Sequence, residues 1–184
     1  MTIWRKLVIF FATLILIAGP GSAAKALESG IAVDVELVLA VDVSFSIGVD
    51  ERDVQRLAYI QAFRDPQIAA AMTAGPSRRI AVAYVEWADA GFQRVVIPWR
   101  VIANPSDAAR FADDLAAAPV QRSGATSISA ALAFSADLFR GNGFQSDRHL
   151  IDISGDGLNN EGPPIRSVRD RLDAMGVTVN ALAE

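Results

Sequence analysis

Three short segments of this chain carry oxygen-bearing side chains at spacings that suit a hard cation. Asp42-Val43-Ser44-Phe45-Ser46 places a carboxylate and two hydroxyls at alternate positions. Ser123-Gly124-Ala125-Thr126-Ser127 is a second hydroxyl-rich stretch, and Ser154-Gly155-Asp156-Gly157 a third. In a roughly extended segment alternate side chains project to one side, so Asp42, Ser44 and Ser46 converge on one point. Thr126 and Asp156 would reach that point from neighbouring loops. Two carboxylates and three hydroxyls, with neither sulfur nor imidazole, form a donor set suited to Mg²⁺, Mn²⁺ or Ca²⁺ and unsuited to zinc or copper. The two carboxylates neutralise a divalent ion, and the neutral hydroxyls leave it electrophilic enough to accept one further oxygen. That oxygen would come from water or from an Asp or Glu carboxylate of a protein partner.

The elements needed to bring these segments together are legible in the pattern of apolar residues. Val35 to Val41 is an almost unbroken aliphatic run of the kind found in strands covered on both faces. A helix follows, with Asp50 as its expected cap and Val54, Leu57, Ala58, Ile60 and Ala62 as its apolar positions. Arg79 to Trp87 and Gln93 to Val101 read as two strands. Their connection, holding Asp89 and Gly91, is too short for a parallel crossover, so they pair antiparallel. Pro98 has no amide hydrogen to give to a ladder, which places the second of them at a sheet edge. Asn104-Pro105 opens a helix with Phe111 and Leu115 on its apolar side. Another helix runs from Ser127 to Phe139, a buried strand from His149 to Ile153, a helix from Pro164 to Met175 and a last strand from Thr178 to Leu182. Strands alternating with helices predict an α/β fold, a doubly wound, Rossmann-like, mostly parallel sheet with helices on both faces and one antiparallel edge strand. In such sheets ligands bind beyond the carboxyl ends of the strands, where all three oxygen-rich segments fall.

With these positions assigned, the chain resembles the von Willebrand factor type A domain. The resemblance rests on Asp42-x-Ser44-x-Ser46, on the threonine loop Gly124-Ala125-Thr126-Ser127-Ile128-Ser129-Ala130-Ala131-Leu132, and on Asp156-Gly157 after a buried strand. It spans Val35 to Leu182. It looks most like an uncharacterised bacterial branch of exported proteins with Asp-Val-Ser and Ser-Gly-Asp-Gly-x-Asn-Asn segments, the latter matched by Asp156, Gly157, Asn159 and Asn160. The resemblance implies a metal-ion-dependent adhesion site. Ser44, Ser46 and Thr126 would supply direct or near-direct oxygens, and Asp42 and Asp156 would act partly through water. Asp152 and Asn159 are expected behind this first set, Asp152 either there or paired with an arginine. Two departures stand out: Ser154-Gly155 occupies the place where many members have a threonine, and the family's final strand and helix are expected to be missing from a truncated C-terminus.

Composition narrows the class of function. Arg5 and Lys6, the apolar run Leu7 to Ala18 and the break at Gly19-Pro20-Gly21 read as a signal peptide cleaved after Ala23 or Ala26, the latter preferred. The run is shorter than the roughly 20 residues of a spanning helix, so the expected product is periplasmic or secreted, with no membrane segment after cleavage. Removing residues 1–26 takes away Arg5, Lys6 and Lys25 and no acid, shifting the formal charge from −4 to −7 and leaving no lysine. An acidic, lysine-free domain is a poor match for nucleic acid. With no cysteine, disulfide frameworks, thiolate metal sites and thiol nucleophiles are excluded.

The expected product is therefore a non-catalytic, metal-dependent protein-binding module. The alternatives are a Mg²⁺-dependent hydrolase of the phosphatase type, with Asp42 as nucleophile, and a metal-free scaffold. Ser44 stands where such phosphatases place a second aspartate, and the lone His149 begins a strand at the end away from the site. Taken singly, Ser44 and Ser46 suit a turn equally well and Thr126 a helix cap.

Overall fold

The computed structural model describes residues 30–46, 48–155 and 159–183. The expected signal peptide and Asp156 lie outside them. The central sheet forms because aliphatic residues recur without polar interruption where strands are covered on both sides. Its strands are β2 (Glu36–Asp42), β3 (Ile80–Trp87), β4 (Gln93–Ile102), β6 (His149–Gly155) and β7 (Val177–Ala183), in the spatial order β4-β3-β2-β6-β7. Neighbours pair parallel except β3 with β4, so the single antiparallel strand sits at the edge, as Pro98 requires. A minor parallel pair joins β1 (Ile31–Ala32) to β5 (Phe144–Gln145).

Alternation along the strands divides the core in two. On one face Leu37, Leu39, Val82, Tyr84 and Leu150 meet three helices: α1 (Val49–Arg64), α2 (Pro66–Met72) and α3 (Pro105–Ala117). Phe63 stacks on Phe111 there at 4.3 Å between ring centroids. On the other face Val38, Ala40, Val85, Trp87, Ile151 and Ile153 meet α4 (Ile128–Asp137) and α5 (Ile165–Ala174). The doubly wound architecture read from the sequence is thus the one observed. Among the described residues no helix is long and apolar enough to cross a membrane.

Several local expectations change. α1 begins at Val49 with Gly48 at its N-cap, so Asp50 lies inside the first turn and is not the cap. Of its expected apolar positions Ala58, Ile60 and Ala62 are buried, but Val54 and Leu57 are each 50% exposed, and Gln55, Arg56, Tyr59 and Phe63 point inward as well. Polar partners on the sheet make this possible. Gln55 donates to Ser154 Oγ at 3.1 Å, and the Arg56 guanidinium lies 3.6 Å from Glu86, which Arg94 engages at 2.7 Å from β4. Three short elements had no reading in the sequence: α2, capped by Asp65 through Gln67 N with Pro66 at its first position, and the two-residue strands β1 and β5.

Asp152 sits on β6 between Leu39 of β2 and Asn180 of β7. It is 1% exposed, its Oδ1 has no hydrogen-bond partner, and no arginine pairs with it among the described residues. Burial alone pushes its carboxyl up to about 7. An ordinary aspartate ionises near ~3.9, so between about pH 4 and pH 7 the folded state holds a proton that the unfolded state has lost, and stability falls as pH rises through that window. Asp152→Asn removes the ionisable group. The variant should be more stable than the parent at pH 8, by up to about 4 kcal/mol, and close to it at pH 4. Urea unfolding at both pH values measures this, and an equal difference at the two would contradict it.

Candidate metal centre

The carboxyl ends of β2, β3 and β6 lie at one level, since Asp42 pairs with Trp87 and Val41 with Ser154. From there β2 continues into the serine loop, and the threonine loop, which precedes α4, comes alongside it. Val43 N donates to Trp87 O at 2.8 Å, which prolongs the β2–β3 pairing by one residue. Ser44 then forms an isolated parallel bridge with Ser123, and Phe45 N donates to Gly124 O at 3.3 Å. These bonds hold the serine loop against the threonine loop. Their result is a compact hydroxyl cluster: Ser44 Oγ and Ser46 Oγ are 2.6 Å apart, Thr126 Oγ1 is 3.3 Å from Ser44 Oγ, and Ser46 Oγ is 3.5 Å from Thr126 Oγ1.

Asp42 is fully buried at the base of this cluster, with Oδ1 accepting from Ser44 N at 2.7 Å. The turn reading of these residues is therefore realised as well, because that bond folds the loop. Ser44 and Thr126 are buried, while Ser46 and Phe45 are exposed, so the cluster opens to solvent on one side. The structure thus brings together Asp42, Ser44, Ser46 and Thr126. Asp156, the fifth expected ligand, follows Gly155 at the end of β6 and lies outside the described residues.

Thr126 does not cap the helix. Ser127 does, accepting from Ala130 N at 3.3 Å, and this leaves the Thr126 hydroxyl for the cluster. Its backbone is fixed on both sides, with Thr126 N donating to Asn160 Oδ1 at 3.2 Å and Asn160 N to Thr126 O at 3.1 Å. Asn159 accepts from Ser129 N at 2.9 Å, so it braces the start of α4. Ser127 Oγ donates to Glu161 O at 2.9 Å. Gly162 follows at φ 93° and passes so close that a Cβ there would stand 2.2 Å from Ser127 Oγ. Asp152 stands apart from all of this. It shares the α1 face with Leu150, while Asp42 lies on the α4 face beside Trp87, so the sheet separates the two carboxylates.

Asp89 contributes more than its place in a hairpin indicated. Its Oδ2 accepts from Ser123 Oγ at 2.5 Å and its Oδ1 from Gly91 N at 2.9 Å. These bonds hold its carboxyl below the usual carboxylate range, the Ser123 hydroxyl contributing most. Together with the bond from Ser127 N to Ala88 O at 2.7 Å, they tie the threonine loop to the end of β3. Ser123 lies 34 residues from Asp89 in the chain, so no local sequence signal announces this brace.

Ser154 and Gly155, expected in a loop, continue β6. A Cβ on Gly155 would lie 2.9 Å from Asp42 Oδ2 and 3.2 Å from Trp87 Cζ2, both fully buried. The absence of a side chain at 155 therefore makes room for the Asp42 carboxylate. Gly155→Ala should destabilise the fold by about 1–3 kcal/mol through overpacking. It should also weaken any cation bound at Asp42, as measured by thermal unfolding and cation titration of the same variant. Unchanged stability would show that the carboxylate has room to move.

Comparison with solved structures bears on the fold. The chain is similar to proximal thread matrix protein 1 of the mussel byssus, with a TM-score of 0.61 and 19% identity over 84% of this chain and 38% of that one. Another structure of that protein, at 18% identity, is described with a zinc-occupied MIDAS motif. The pilus adhesin SpaC of Lactobacillus rhamnosus GG gives a TM-score of 0.59 at 14% identity, covering 82% of this chain and 24% of that one. An aerotolerance-related membrane protein of Bacteroides fragilis gives 0.52 at 20% identity, covering 81% and 67%. The chain spans well under half the length of the mussel protein and of the adhesin. No curated protein matches it. The shared architecture is that of the von Willebrand factor type A fold, and over residues 32–183 the sequence matches the family described as protein of unknown function DUF1194, to which this chain belongs.

Proposed function

We propose that this protein is an exported, non-catalytic domain that binds a protein partner through one divalent cation, with Asp42, Ser44, Ser46, Thr126 and Asp156 as the cation's protein ligands. The observation that carries the reading is the cluster itself. Three hydroxyls from residues up to 82 positions apart stand within 3.5 Å of one another beside a wholly buried carboxylate. Such a donor set fits a hard cation, whose charge offsets the cost of burying Asp42. Mg²⁺ is the expected ion, with Mn²⁺ and Ca²⁺ as alternatives. The zinc described for the mussel protein is a reason to include Zn²⁺ in the tests.

The open side at Ser46 leaves room for a ligand from outside, and a carboxylate of an Asp or Glu on the partner is the group a partly neutralised cation accepts most readily. Support for binding without chemistry comes from what surrounds the cluster. The single histidine, His149, begins β6 at the opposite end of the strand and faces Glu36 at 3.4 Å. No lysine follows residue 25, so phosphate esters would lack the cation that commonly clamps them. Export follows from the signal-peptide pattern of residues 1–26, and with it a periplasmic or secreted location.

Calorimetric titration with Mg²⁺, Mn²⁺, Ca²⁺ and Zn²⁺ tests the cation directly. One site is expected, weakened at least tenfold in Asp42→Ala and in Asp156→Ala. Capture of a partner from the exported fraction should disappear with chelator and return with the preferred ion. Absence of heat and of thermal shift with all four ions, or capture indifferent to chelator, would overturn the reading.

A further inference from the structure

Ser44 and Ser46 follow directly on β2, but Thr126 lies in a loop, two residues after Gly124, and its hydroxyl is aimed by bonds from a distant segment. Peptide units are planar, so the direction of a side chain is set once the planes on either side of its Cα are held. Thr126 N, in the plane shared with Ala125, donates to Asn160 Oδ1 at 3.2 Å. Thr126 O, in the plane shared with Ser127, accepts from Asn160 N at 3.1 Å, and Ser127 N of that same plane donates to Ala88 O at 2.7 Å. One plane is therefore held twice by backbone groups, and the other is held by the Asn160 side chain. With both fixed, the rotamer at Thr126 decides where its hydroxyl stands. The observed one sets Oγ1 at 3.3 Å from Ser44 Oγ and 3.5 Å from Ser46 Oγ.

The neighbouring asparagine is used differently. Asn159 Oδ1 accepts from Ser129 N at 2.9 Å, while Ser127 Oγ accepts from Ala130 N at 3.3 Å. These two side chains satisfy amides in the first turn of α4 that have no partner within the helix. Asn159 thus belongs to the helix start, and Asn160 to the threonine. Both asparagines are exposed, so truncating either opens no void in the core.

We infer that Asn160 is a positioning residue of the cation site, whose side chain sets the Thr126 hydroxyl in place without itself being a ligand, whereas Asn159 secures α4. The inference rests on the cation binding set out above and adds a residue that governs its affinity. It also couples two of the assigned ligands, because the residue that clamps Thr126 stands four positions after Asp156 in the same segment. Loss of a group that orients a metal ligand commonly weakens a site by about 10–100-fold.

Calorimetric titration of the full chain with whichever of Mg²⁺, Mn²⁺, Ca²⁺ and Zn²⁺ it binds most tightly, beside urea unfolding without metal, tests this. Asn160→Ala should bind the ion at least about tenfold more weakly than wild type, with a urea midpoint close to it. Asn160→Asp keeps an oxygen for Thr126 N and should bind almost as tightly as wild type. An added carboxylate also attracts the ion by charge alone, so Asn159→Asp is combined with Asn160→Ala, and that pair should stay as weak as Asn160→Ala. Asn159→Ala should do the reverse, lowering the urea midpoint and leaving the affinity unchanged. Wild-type affinity in Asn160→Ala, no recovery in Asn160→Asp, recovery in the charge control or an equal loss in Asn159→Ala would each overturn the inference and leave the cation site standing. If the wild-type chain gives neither heat nor thermal shift with any of the four ions, the underlying reading fails and this one with it.

Discussion

Oxygen atoms repel one another unless hydrogens or a cation lie between them, so keeping the side chains of Ser44, Ser46 and Thr126 within 3.5 Å is the constraint around which the upper end of this domain is built. Two of these residues follow β2 and the third precedes α4, and nothing local brings them together. What does is the levelling of β2, β3 and β6, whose register puts Asp42 beside Trp87 and Val41 beside Ser154. The sheet below is held by two apolar cores, and its parallel strands are rigid enough to fix where their ends point.

A second layer of bonds converts this level edge into a defined cluster. Asn159, Asn160 and Glu161 O hold the start of α4, and Asp89 holds Ser123. Each of these braces is a hydrogen bond between a side chain and the backbone or hydroxyl of another loop, so the loops stiffen one another without apolar packing. Gly155 serves the same end by leaving space. Its missing Cβ admits the Asp42 carboxylate beside Trp87, a fit that a threonine at 155 would obstruct. The departure from the common pattern of the fold at this position is therefore coupled to the tryptophan at the end of β3.

The sequence carried most of this architecture, for identifiable reasons. Strands buried on both faces are nearly uniform in composition, so β2, β3 and β6 were found to within one or two residues, and Pro98 disclosed the edge. The inward face of α1 is legible only in part, at Ala58, Ile60 and Ala62, because the residues that turn inward also include Gln55 and Arg56. Hydropathy assigns those to solvent, and only Ser154 and Glu86, far away in the chain, account for their burial. Helix α2 left the standard signals of an Asp cap and a proline at the first position, yet it is seven residues long and follows α1 directly. β1 and β5 are too short to show a period. At the site, Asp42, Ser44, Ser46 and Thr126 were legible from alternation and position. The placing of Asp152 on the opposite face of the sheet from Asp42 was decided by strand parity, which the run Leu150-Ile151-Asp152-Ile153 does not reveal by itself.

A cation among these hydroxyls would explain why they are held so close together. A crystal of the protein grown or soaked with Mn²⁺ and measured for anomalous scattering tests for that cation without any partner. The expected result is one peak bonded to Ser44 Oγ and Ser46 Oγ at about 2.0–2.6 Å, with Thr126 and the carboxylates of Asp42 and Asp156 close around it. Ordered loops in which the three hydroxyls remain hydrogen-bonded to one another, with no anomalous peak among them at millimolar Mn²⁺, would contradict it.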